Sequence, residues 1–113
     1  MEFNQDIKLL IDGKWIQSSE RDSLPLINPA TEEILSNVPI ANDKDLDNSL
    51  ISSHKAFKIW SKFPPLKRQS IMLKAVEIIK SRQEEIAKTL TMEMGKTLRA
   101  VSYTHLTLPT TTI

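Results

Sequence analysis

A chain of 113 residues, 40% hydrophobic and 26% charged, has the composition of a folded globular segment about one small domain in size, which excludes long disorder. The 15 basic and 14 acidic residues are spread along the chain and leave a formal charge of +1, so no electrostatic footprint points to a nucleic-acid or membrane partner. There is no cysteine, which excludes disulfides, thiolate metal sites and a thiol nucleophile within these residues.

The start, MEFNQDIKLLIDGKW, is acidic and polar where a signal peptide carries a basic start and a longer apolar run. The longest near-apolar stretch, IMLKAVEII, is broken by Lys74 and Glu77 and falls far short of the roughly 20 residues of a membrane helix. A soluble, cytoplasmic protein is the expectation. Ile7 to Gln17 reads as a hairpin, because Asp12-Gly13 supplies the positive φ angles of a two-residue primed turn. Ser18 to Ser23 reads as a polar surface connection. A second strand pair, Leu24 to Ile27 and Glu33 to Ile40, flanks the turn Asn28-Pro29-Ala30-Thr31, where proline fixes φ and the Asn28 side chain can bond backbone further on. Pro25 and Pro39 mark these strands as edges.

The period then becomes helical. Asn42, three residues before Asp45, is a candidate N-cap, and Leu46, Leu50, Ser53, Phe57 and Trp60 recur at helical spacing, which predicts a helix over 43–62. Pro64-Pro65 ends it and starts the next, with the stripe Ile71, Met72, Ala75, Ile78 and Ile79. A third helix begins near Gln83, continues through Ile86, Leu90 and Met94, and stops at Gly95, where glycine can take a left-handed cap.

Little of this carries chemistry. His54 and His105 have no second ligand at metal spacing and read as surface or packing residues. Arg82-Gln83-Glu84-Glu85 is a solvated helix face, since adjacent helical positions diverge by about 100° and do not face one another. Trp15 and Trp60 fall within apolar stripes, so core packing is expected of both. With only Gly13 and Gly95, no phosphate-cradling loop of the Gly-x-Gly-x-x-Gly type exists here.

Taken together, LLIDGKWIQS, LPLINPATEEILSNVPIA and AFKIWSKFPPLKRQSIMLKAVEIIKSRQEEIAKTLTMEMGKTL resemble, in order and spacing, the amino-terminal part of the NAD(P)-dependent aldehyde dehydrogenase superfamily. The resemblance covers about residues 9–99. It departs at Glu32, where the family commonly has glycine; a type I turn would accept this residue. The resemblance implies an α/β parent with a Rossmann-like cofactor domain, of which this fragment is two β-hairpins followed by three α-helices. Residues 1–99 would belong to the cofactor-binding and oligomerisation region of a homodimer or homotetramer. It further implies oxidation of a small aldehyde to a carboxylic acid with NAD or NADP: a cysteine thiolate attacks, an asparagine amide helps hold the oxyanion, and a glutamate activates water. All of those residues lie beyond this fragment in the family, so no catalytic or cofactor-binding residue falls within it and the chain alone is expected to be inactive. The Glu-Met-Gly-Lys helix end is similar to members acting on succinate semialdehyde and related small aldehydes.

Some members also hold a monovalent cation between backbone carbonyls just before the Asn-Pro turn and an acidic side chain, places matched by Ile27 and Glu93. The residues themselves support a plainer reading, an ordinary strand residue and a helix-surface carboxylate, because oxygen ligands from later in the subunit would be missing. The tail VSYTHLTLPTTTI breaks the resemblance. Val101 to Thr110 is what GTC TCT TAT ACA CAT CTG ACG CTG CCG ACG encodes, a string similar to the reverse complement of a transposase sequencing-library adapter. Residues 100–113 are therefore expected to be a hybrid codon at Ala100 followed by a non-native tail. The alternative to a truncated dehydrogenase is a free-standing binding or assembly module made from the same hairpins and helices. Its apolar helix faces would then need a partner.

Overall fold

The computed structural model describes residues 2–3 and 5–101. Along the chain run β1 (Leu9–Ile11), β2 (Lys14–Ile16), β3 (Ser23–Ile27), β4 (Ile34–Pro39), α1 (Asp43–Trp60), α2 (Pro65–Ser81), α3 (Gln83–Met94) and α4 (Leu98–Val101). The strands form two separate two-stranded sheets, β1 with β2 and β3 with β4. Two compact units result. Among the described residues, one takes in 6–26 and 36–70; the other takes in 2–3, 5, 27–35 and 71–101.

In the first unit, β1 and β2 are antiparallel in the register Leu9 to Ile16, Leu10 to Trp15 and Ile11 to Lys14. Asp12 and Gly13 both have positive φ, 54° and 71°, as a primed two-residue turn requires. Strand alternation then decides what is covered. Leu9, Ile11 and Ile16 are half-buried, and β1 packs against α1. Trp15 and Leu10 point the other way, with Trp15 63% exposed. The core position expected for Trp15 is thus corrected by strand parity: Trp15 lies on the face turned away from α1 and stays mostly exposed. Trp60 is half-buried against Phe63, ring centroids 5.7 Å apart, and the Lys67 ammonium lies 4.1 Å over the Phe63 ring.

The polar stretch before β3 is more than a surface connection. Ser18–Glu20 is a single 3-10 turn, the Gln17 N–H donates to the Glu20 carboxylate at 2.8 Å, and Ser23 already belongs to β3. The predicted N-cap of α1 is present: the Asp45 N–H donates to Asn42 Oδ1 at 2.8 Å, and the Asn42 N–H donates back to Asp45 Oδ2 at 3.0 Å. This reciprocal box satisfies two of the N–H groups that a helix start leaves open. α1 ends at Trp60, two positions before the expected Lys62, because the N–H groups of Lys62 and Phe63 turn to carbonyls three residues back.

In the second unit, the turn after β3 differs from the type I form expected. The Glu32 N–H donates to the Asn28 carbonyl at 2.8 Å and the Asn28 N–H to the Glu33 carbonyl at 2.9 Å, so the chain makes a wide, helix-like turn. That turn closes through a left-handed residue, and the residue is Glu32, with φ of 63°. A Cβ there meets backbone oxygen, a strain of about 1 kcal/mol that glycine would avoid. Asn28 bonds forward as expected, its Oδ1 accepting from the Ala30 N–H at 2.9 Å. Helix α3 ends as read from the sequence: Gly95 has φ of 79° and its N–H donates to the Thr91 carbonyl at 2.9 Å. The short helix α4, which carried no sequence signal, packs on α3. Its Val101 is fully buried, and Ala87 and Met92 are the buried residues of α3.

α2 starts at Pro65, where a missing N–H costs nothing, and none of its residues is buried. Its expected stripe is there in register, but Ile71, Met72, Ile78 and Ile79 are exposed, as are Leu46, Leu50 and Phe57 of α1.

Candidate functional site

The residues expected to hold a cation both belong to the second unit. Ile27 closes β3 and Glu93 sits on the last turn of α3; both are exposed. Their segments are brought together, because a Cβ built on Gly95 would stand 3.1 Å from Pro29 Cγ. The glycine therefore does two jobs: it takes the left-handed cap and it lets the Asn28–Thr31 turn approach the helix end. The donor set there is small. The Thr91 hydroxyl is buried without a partner, but two positions along a helix put Thr91 and Glu93 on nearly opposite sides, so it does not join Glu93. A carbonyl and one carboxylate fall well short of the oxygen shell that hard cations take. Among the described residues no group of three or more His, Cys, Asp or Glu side chains is placed to hold a metal ion. His54 lies exposed on α1, and His105 lies outside the described residues.

The most tightly knit polar cluster belongs to the first unit and had no sequence signal beyond the cap. Arg21 grips Asp45 with both ends of its guanidinium, Nε to Oδ2 at 2.7 Å and Nη2 to Oδ1 at 2.8 Å, and Nη1 donates to the Glu20 carbonyl at 2.8 Å. Asp45 is 3% exposed, so its charge needs these donors. The Arg21 hydrogen bonds, helped by the Asn42 N–H, hold its carboxyl at about 2 against an ordinary 3.8, while Asp45 raises Arg21 in turn. Each group is fully partnered, which suits a structural clasp joining the 3-10 turn to the start of α1. A second tie, Ser52 Oγ donating to Asp12 Oδ1 at 2.9 Å, fastens the first hairpin to α1.

Two of the open grooves lie beside these clusters. One, about 440 Å³, is lined by Glu2, Gln5, Arg82, Glu85 and Lys88 among others, and the other, about 380 Å³, by Asp12, Lys14, Asn48 and Lys55 among others. Arg82 is paired with Glu85 at 2.7 Å and Lys88 with Glu84 at 3.2 Å, a solvated helix face as expected. The Arg82 hydrogen bonds hold the Glu85 carboxyl below the usual range. Neither groove contains a group that could serve as an activated nucleophile.

The Aldehyde dehydrogenase family matches residues 15–110. A probable methylmalonate-semialdehyde/malonate-semialdehyde dehydrogenase [acylating], mitochondrial, from Anopheles gambiae is 41% identical over 91 residues, which is 80% of this chain and 18% of that relative. The crystal structure of an aldehyde dehydrogenase from Bartonella henselae superposes with a TM-score of 0.80 at 30% identity, over 88% of this chain and 21% of that one. The structure of 3,6-anhydro-L-galactose dehydrogenase in complex with NAP superposes with a TM-score of 0.79 at 26% identity, over 87% and 20%. The chain thus spans about a fifth of the length of the proteins it matches. With its hairpins and helices in the same arrangement and a family match over most of its length, the chain belongs to the aldehyde dehydrogenase family.

Proposed function

We propose that these residues are the leading part of a subunit that oxidises a small semialdehyde with NAD or NADP through a cysteine-bound acyl intermediate, and that they act as scaffold. The observation that carries this is the superposition of 88% of the chain on about a fifth of a solved aldehyde dehydrogenase. The semialdehyde follows from the Anopheles relative's name and the Glu93-Met94-Gly95-Lys96 helix end, and the dinucleotide from the family and from the neighbour holding NAP. With no cysteine in the sequence, the nucleophile must come from outside these 113 residues, so the chain alone is inactive. Homo-oligomerisation as a dimer or tetramer and a cytoplasmic location are part of the same reading, and no helix among the described residues is long and apolar enough to cross a membrane. Ile27 and Glu93 would contribute two oxygens to a cation site that later residues of the subunit complete.

The proposal extends to the tail: native sequence runs to Arg99, Ala100 is a hybrid codon, and 101–113 come from adapter. Residues 102–113 lie outside the described residues. Val101 is buried, and burial of an apolar side chain does not depend on its origin. The test is long-read sequencing of the source DNA across codon 100, from a library made without transposase adapters, followed by expression of the open reading frame. A frame continuing through Glu-Ala to a cysteine, and reduction of NAD or NADP by malonate or succinate semialdehyde, is the expected outcome. A frame that stops after Ile113, or a full-length product that reduces neither cofactor with any aldehyde, sinks the proposal and turns attention to a free-standing module.

A further inference from the structure

We draw no further inference here: the strongest candidate, the unpartnered apolar face of α2 around Ile71, Met72 and Ile78, carries nothing because nothing in the structure shows what covers it.

Discussion

Helices α2 and α3 are neighbours in sequence and similar in apolar content, yet they end differently. α3 buries Ala87 and Met92, half-buries Ile86 and Leu90, and closes on a left-handed glycine fitted against Pro29. α2 spreads its apolar residues more widely around the helix and buries nothing, with Leu66 79% exposed. The difference teaches that an apolar face buries side chains only where another surface meets it, as the turn at Pro29 and the segment after Gly95 meet α3.

The largest effect expected from this contrast is on the chain by itself. Each large apolar side chain left in water forgoes roughly 1.5–3 kcal/mol, and α1 and α2 leave many of them there. Residues 1–99 are expected to aggregate or to melt without a cooperative transition, with α2 amides exchanging faster than α3 amides. A sharp melt of a soluble monomer with equal protection on both helices would erase the contrast. Within the complete subunit, Gly95→Ala should weaken the α3 end by about 2 kcal/mol, because a Cβ at φ of 79° is strained and would crowd Pro29 at 3.1 Å. The check is the local opening free energy from hydrogen exchange of the Gly95 amide. A change under about 0.5 kcal/mol would mean the turn moves freely away from the helix end.

The next effect concerns the start of α1. Asp45→Asn should loosen the 3-10 turn and the first turn of α1 together, read as faster exchange at Arg21 and Leu46. The pH dependence has a defined sign: a carboxyl held at about 2 when folded against 3.8 when free stabilises the fold fully above the free value. That contribution is lost as pH falls from 3.8 through about 2. Exchange that accelerates instead between neutral pH and about 5 would place the sensitivity elsewhere. A smaller gain is expected from Glu32→Gly, which removes the left-handed strain and should raise the turn's opening free energy by up to about 1 kcal/mol, less the added freedom of glycine when unfolded. Loss of protection would show that Glu32 makes a contact outweighing its strain. Smallest of all, Glu85→Gln at the exposed α3 start should leave protection indistinguishable from the parent in moderate salt, since solvent screens that pair.

How far the residues speak for themselves can be judged position by position. Asp12-Gly13, Asn28, Asn42 with Asp45, Pro65 and Gly95 each constrain a few dihedrals or a hydrogen bond within four residues, and each turn, cap or stop was found where it was read. The candidate cation pair was legible only by resemblance to the family, because its members lie on different elements. What failed was long-range or depended on conformation: Glu32 fell in a left-handed position, Trp15 faced outward, and Arg21 found Asp45 across 24 residues. Local chemistry in the sequence determined the longer elements, most of their turns and caps, and the family. Which faces were covered, and which charges were drawn together, was decided only in the tertiary structure, because burial and ion pairing belong to surfaces that meet in space and not to any stretch of chain.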